Sequence, residues 1–169
     1  MPRSFDLSAN YQGNVAQVHS AFADEQFWLA RLDDSGADDA TLDALVIAAD
    51  GAIDVTTTQV LRADRLPGFV TQLYRGDLHI TRKESWSAVV ADRSTAAIAA
   101  HIPGAPVAAT GAGNLYPDGA GAKVDLTITV EVKIPLLGGK VEGFIGSQLA
   151  ELLISEQRFT TAWILDRQH

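Results

Sequence analysis

Two glutamates and an arginine stand where the surrounding pattern is apolar. Glu156 interrupts a helical stripe that runs through Leu149, Leu152 and Leu153 on one side and Phe159 and Trp163 on the other. A carboxylate there is either a structural acceptor for a buried donor or a polar group at the floor of a cavity. In the second case desolvation would raise its pKa and suit it to general acid–base work. Buried carboxylates are usually paired, and Arg82 is an available partner. Leu78, Ile80, Arg82, Glu84 and Trp86 share one face of a strand, with Asp77, His79, Thr81, Lys83 and Ser85 on the other. Apolar anchors make the first set the inward one. Arg82 and Glu84 then either orient a ligand's polar head while Trp86 packs on its apolar body, or form a salt bridge near the mouth of the sheet. Glu84 and Glu156 are the catalytic candidates, and no further catalytic residue is assigned.

The other chemistry-bearing residues point away from familiar sites. His19, His79, His101 and His169 are isolated, with no His-x-x-x-His pair, so no metal site and no cofactor are assigned. His19 sits on the apolar side of a short helical pattern, the position of a satisfied, partly buried side chain. No Gly-x-Ser-x-Gly elbow supports a nucleophilic serine. Gly111-Ala112-Gly113 falls inside a strand rather than at a strand-to-helix turn, so it fails the dinucleotide-binding context. Gly138-Gly139-Lys140 precedes a helix but lacks the spacing and the hydroxyl of a phosphate loop. The chain has no cysteine, which excludes disulfides, zinc–thiolate sites and cysteine nucleophiles.

The bulk composition narrows the partners. With 13 basic and 21 acidic residues the formal net charge is −8, and the basic residues are scattered, so a nucleic-acid partner is not expected. Hydrophobic residues make up 47% and charged residues 20%, an ordinary globular balance. No run approaches the roughly 20 apolar residues of a membrane span. The first residues, Met-Pro-Arg-Ser-Phe-Asp-Leu-Ser, carry no signal-type apolar region. A cytoplasmic protein without an integral membrane segment, monomer or homodimer, is expected.

The elements that must position these residues follow from periodicity. Ser4 to Tyr11 alternates as a half-buried strand. Asn14 caps a short helix through Phe22 and Asp24 caps a second carrying Trp28 and Leu32. From Thr41 the period becomes two. Leu42–Ala49 and Ala52–Leu61 flank Asp50-Gly51, a two-residue hairpin signal. The segment from Arg62 to Arg75 reads as an irregular connection with one helical turn. Strands follow over 78–90, 95–102, 107–116 and 123–133, and a helix of about 25 residues, roughly 37 Å long, runs from Lys140 to Ile164. Strands joined by tight turns form an antiparallel sheet, and a sheet of this many strands must curl. The segment from Ser87 to Ala122 is rich in Ala and Gly. Small side chains facing a helix leave space, so this wall predicts a cavity. Gly143, Gly146, Ser147 and Ala150 make a small-residue strip for close backbone packing.

The element order, the Ile134-Pro135-Leu136-Leu137-Gly138-Gly139-Lys140-Val141-Glu142 approach to the last helix, its Glu156…Trp163 exit and the Glu84-Ser85-Trp86 stretch together resemble the START-like (Bet v 1-like, polyketide cyclase/SRPBCC) superfamily. Within it the chain is similar to the actinobacterial DUF2505 members. The resemblance covers essentially residues 1–169 as a single domain. It implies an α+β helix-grip fold, a curved seven-stranded antiparallel sheet around a long C-terminal helix with two short helices after the first strand. It also implies a hydrophobic small-molecule ligand such as a lipid, sterol-like or polyketide-like compound. The expected lining is Phe5, Leu7, Val55, Ile80, Trp86, Leu126, Ile128, Ile145, Leu149, Leu152 and Phe159, with Arg82, Glu84 and Glu156 as its polar contacts. Two other functions stay open. One is a cyclase- or hydratase-type enzyme using Glu156 or Glu84 as acid or base. The other is a protein-interaction module with a vestigial cavity.

Overall fold

In the computed structural model, which describes residues 2–167, one seven-stranded antiparallel sheet curves around a long C-terminal helix. The chain order is β1 (Arg3–Tyr11), α1 (Val15–Phe22), α2 (Glu25–Asp34), β2 (Asp39–Ile47), β3 (Ile53–Leu61), α3 (Gly68–Leu73), β4 (Leu78–Trp86), β5 (Ser94–His101), β6 (Val107–Asp118), β7 (Gly121–Val132) and α4 (Gly138–Asp166). A 3-10 turn at Ala63–Arg65 precedes α3. Strands β2 to β7 pair in chain order, and β1 closes the far edge against β7, giving β1-β7-β6-β5-β4-β3-β2. No described helix is long and apolar enough to cross a membrane.

Local chemistry sets the boundaries. Asn14 and Gln17 form a reciprocal capping box at α1: Gln17 N–H donates to Asn14 Oδ1 at 2.8 Å and Asn14 N–H donates to Gln17 Oε1 at 2.9 Å. Asp24 accepts from Gln26 N–H at 2.9 Å and starts α2. The hairpin at Asp50-Gly51 has a three-residue rather than a two-residue loop. Gly51 N–H bonds the Ala48 carbonyl, Ala48 N–H bonds the Ala52 carbonyl, and Gly51 takes a φ of 96°. This is a type I turn followed by a left-handed glycine, a pattern Asp-Gly also serves. The strand expected over 78–90 ends at Trp86. Beyond it the Ser87 N–H still bonds the Thr95 carbonyl of β5 at 2.9 Å, Ala88 to Arg93 leave the ladder, and Ala91 and Asp92 both adopt positive φ in a tight turn bridged by Val90 and Arg93.

Helix α4 runs 29 residues, about 44 Å at 1.5 Å per residue, and starts and ends two residues beyond its expected limits. Its entry angle is fixed by Glu142, which is fully buried and accepts the N–H of Val132, the last residue of β7, at 2.9 Å. A few residues on, Gly146 lies against the Phe5 ring so closely that a Cβ would overlap it. Gly143, against Arg3, and Gly146 thus seat the N-terminal half of the helix on β1, while Ser147 of the same strip is exposed.

At its other end α4 meets α1 and α2. Phe22, Phe27, Trp28, Trp86, Phe159 and Trp163 form a continuous aromatic cluster with neighbouring ring centroids between 4.8 and 6.3 Å apart. Phe27 and Trp28 have no exposed surface, and the Trp28 indole donates to the Phe22 carbonyl at 2.7 Å. Between Gly146 and Thr160, in contrast, no residue of α4 is fully buried. The expected apolar positions Leu149, Leu152 and Leu153 are only half-buried there, because the helix stands off the sheet.

Candidate functional site

The strand register aligns the inner face of the sheet in rows. One row runs Ile53, Trp86, Ala96, Gly113, Leu126, Leu7. The next runs Val55, Glu84, Ile98, Gly111, Ile128, Phe5, and a third runs Thr57, Arg82, Ala100, Ala109, Val130, Arg3. Each row carries a large or charged residue on β4, and two of the three carry only small residues on both β5 and β6. Leu126 and Ile128 lean into the space left at Gly113 and Gly111. A Cβ at Gly113 would overlap the Leu126 side chain and the Asp125 carbonyl. What they leave unfilled, under the middle of α4, is a cavity of about 80 Å³ with a mostly apolar wall.

One side of that cavity is ionic. Arg31 from α2, Arg82 and Glu84 from β4, and Glu156 from α4 converge there. Arg82 grips Glu156 through both terminal guanidinium nitrogens, with Nη2 to Oε2 at 2.7 Å and Nη1 to Oε1 at 3.4 Å. Arg31 Nη2 lies 3.1 Å from Glu156 Oε2 and 3.2 Å from Glu84 Oε2. Arg82 Nε closes the ring with an ion-pair contact to Glu84 Oε2 at 3.4 Å, though without a hydrogen bond. The Arg31 guanidinium also lies over the Trp28 ring, 4.3 Å from its centroid. Two positive and two negative charges sum to zero in a site where side-chain exposure is 7% for Arg31, 9% for Glu84, 13% for Arg82 and 18% for Glu156.

The charges set one another's ionisation. Burial works to raise the pKa of Glu156, but Arg31 and Arg82 outweigh it and hold the carboxyl below the usual glutamate range. Burial works to lower the pKa of Arg82, and Glu156 and Glu84 outweigh that to keep it firmly charged. Tyr11, at the end of β1, lines the same cavity. Its phenol is pushed up by burial, with Arg31 opposing and Glu156 and Glu84 adding to the shift. Glu156 is therefore a committed carboxylate at neutral pH, a poor proton donor and a weak base.

Of the residues anticipated as lining, Leu7, Arg82, Glu84, Trp86, Leu126, Ile128, Leu149, Leu152 and Glu156 meet at the cavity. Five lie elsewhere. Phe5 is packed beneath Gly146, Phe159 stacks with Trp163 and Phe27, and Val55 is buried beside Glu84 in the sheet. Ile145 packs on the core and Ile80 is half-buried one step beyond Arg82. Arg31 and Tyr11 were not anticipated. Arg31 stands four residues after Phe27 and three after Trp28, so a cation on the apolar face of α2 was its signal. Tyr11 was readable as inward but not as a cavity residue. Ala100 and Ala109 belong to the wall, as does Ile98 between the small residues. His19 bonds the Ser87 carbonyl through Nε2 at 3.0 Å, and His169 lies outside the described residues.

Solved structures share this architecture. The protein TTHA0849 from Thermus thermophilus superposes with a TM-score of 0.63 at 16% identity, covering 99% of this chain and 100% of its own. Ara h 8.0201 gives 0.59 at 10% identity over 98% and 99% of the two chains. Norcoclaurine synthase from Thalictrum flavum gives 0.57 at 11% over 98% and 87%. At such identities they establish the fold alone, the helix-grip (Bet v 1-like) fold. In sequence, the uncharacterized protein Rv0481c of Mycobacterium tuberculosis (strain ATCC 25618 / H37Rv) is 46% identical over 170 residues, covering 97% of this chain and 98% of that protein. The uncharacterized protein Mb0491c of Mycobacterium bovis matches to the same extent. The family described as "Protein of unknown function (DUF2505)" matches residues 6–164, and the chain belongs to that family.

Proposed function

We propose that this protein binds a hydrophobic small molecule, of lipid, sterol-like or polyketide-like kind, between the sheet and the middle of α4. The observation that carries the reading is the stand-off of α4. Its two ends are clamped by Gly146 on Phe5 and by the aromatic cluster, while the thirteen positions between Gly146 and Thr160 contain no buried residue and overlie a wall of Ala and Gly. Natural ligand sites run to roughly 300–1,000 Å³, so a lipid-sized guest requires the helix middle to move outward from its present 80 Å³ cavity. The half-buried Leu149, Leu152 and Leu153 are the side chains that would turn onto the guest. We place this single-domain protein in the cytoplasm, a compartment its lack of cysteine suits.

The acid–base alternative finds less support in the geometry. Glu156 and Glu84 share the same two guanidinium groups, and a catalytic role would have to break that arrangement before either could carry a proton.

Native mass spectrometry of the purified protein, with displacement of the lipophilic dye Nile red, tests the binding reading. The expected result is a co-purified apolar species or a dye that binds in the wild type and not in Ala109→Phe, which fills the cavity. Failure of the wild type to retain any guest or to bind the dye would defeat it.

A further inference from the structure

We infer that the guest of this cavity is an uncharged molecule that presents a hydrogen-bond acceptor, such as a ketone, ester or ether oxygen, to the indole N–H of Trp86. The inference rests on the binding reading above and specifies its ligand class.

Charge comes first. Arg31, Arg82, Glu84 and Glu156 already neutralise one another at 2.7 to 3.4 Å. A guest carboxylate or ammonium would have to displace a partner, leaving one of the four buried and unpaired, or would itself be desolvated without compensation. A neutral guest disturbs none of them.

Hydrogen bonding then decides between plain hydrocarbon and an oxygenated compound. Trp86 is 4% exposed, lies in the cavity wall, and its Nε1 has no hydrogen-bond partner among the described residues. Buried indole N–H groups usually find one; that of Trp28, in the same aromatic cluster, does. Among the described residues, the other buried wall atom without a hydrogen bond is Arg82 Nε, which is also a donor. An indole N–H can only donate, so an oxygen on the guest would supply the partner it lacks among the described residues. Glu84, the nearest of the four charged residues, lies on the same face of β4 two residues before Trp86, roughly 6–7 Å along the strand, and its carboxylate is engaged by Arg31 and Arg82. The indole N–H makes no hydrogen bond to that carboxylate and is left for an oxygen on the guest.

The test uses four small probes of similar shape: acetophenone, ethylbenzene, benzoate and benzylammonium, titrated into the full chain and followed by ligand-observed NMR. Acetophenone should bind about five- to tenfold more tightly than ethylbenzene, the size of one net hydrogen bond, and the two ions should bind far more weakly than either. Trp86→Phe should abolish the preference for acetophenone over ethylbenzene. Independently of whether that variant folds, the Trp86 indole N–H resonance of the wild type should move downfield with acetophenone and not with ethylbenzene. Equal affinities for acetophenone and ethylbenzene, tighter binding of either ion, or an unmoved indole resonance overturns the inference and leaves the binding reading standing. Binding of none of the four also overturns the inference, while the Nile red measurement decides the binding reading separately.

Discussion

The two ends of α4 and its middle are built by opposite rules. At the ends, glycine, valine and aromatic residues bring backbone or ring into direct contact. Gly146 sits on Phe5, Glu142 caps the last N–H of β7, and Phe159 and Trp163 lock into Phe27. In the middle the helix offers long leucines and one glutamate, and the sheet beneath offers alanine and glycine. A void survives there only because both sides decline to fill it. Close packing elsewhere makes this affordable, since a domain of this size can leave one region thin when its flanks are dense. The comparison separates what holds the fold from what leaves it open, and the ionic ring is the join between them.

Breaking the ring should produce the largest effect. Arg31→Met leaves Glu84 and Glu156 sharing Arg82 alone, and an uncompensated buried charge costs about 3–5 kcal/mol. Urea denaturation should show that loss. Removing a balanced pair is different: Arg31→Met with Glu84→Leu keeps the bidentate Arg82–Glu156 contact and net neutrality. The double variant should be more stable than Arg31→Met by itself, giving a strong coupling in the mutant cycle. Additive losses would mean that the four charges act independently and that the site is an assembly of surface-like pairs.

The next comparison sets the dense flank directly against the thin middle. Trp28→Ala removes a side chain with no exposed surface, its indole hydrogen bond to Phe22 and the platform beneath Arg31. The expected cost is about 3–5 kcal/mol. Leu152→Ala removes a half-buried side chain that borders space already empty. Its cost should fall to about 1–2 kcal/mol, below the usual range for a core leucine, and it should increase Nile red binding by enlarging the cavity. Similar losses at both sites would show that the middle of α4 is packed as tightly as its ends.

How much of this was legible in the sequence depends on whether the determining contacts are local. The strands and capped helices were readable because alternation in Ser4 to Tyr11, the Asn14 cap and the apolar periods are written within a few residues of each other. The C-terminal end of β4 was not, since Ser87 to Val90 look like strand but, after the Ser87 N–H bond to Thr95, turn back on themselves through the Val90–Arg93 bridge at Ala91-Asp92. In the site, Arg82 and Glu84 were readable from strand parity, and Glu156 from a break in the helical stripe. Arg31 needed the docking of α2 against β2 and α4, which brings its side chain to Glu84, 53 residues away in the chain. Phe5, Ile145 and Phe159 were correctly inward in parity, but parity cannot tell a residue that lines a void from one that fills it. That distinction belongs to Gly146 and to the aromatic cluster, which take those three side chains into the flanks.

The smallest expected effect is the pH dependence, and its sign follows from Glu156. Its folded pKa lies below the ordinary glutamate value of about 4.3. Above that value the carboxyl is ionised whether the chain is folded or not, and its full stabilisation is present. As pH falls through the ordinary value, the unfolded chain takes up the proton first. Unfolding then binds protons, and stability drops until the folded-state carboxyl is protonated too. Asp38, held low by the Arg62 N–H and by Arg65, titrates in the same direction from the exposed surface, so the acid limb of the wild type reports both. Glu156→Gln separates them. Its stability at pH 7 should be lower, because Arg31 and Arg82 lose a counter-charge, and its decline between about pH 4.5 and 3 should be shallower than that of the wild type. Parallel acid limbs in urea midpoints for the two proteins would mean that Glu156 titrates as though solvated. The middle of α4 would then be an open surface groove, and the charge balance that restricts its guest to neutral molecules would no longer operate.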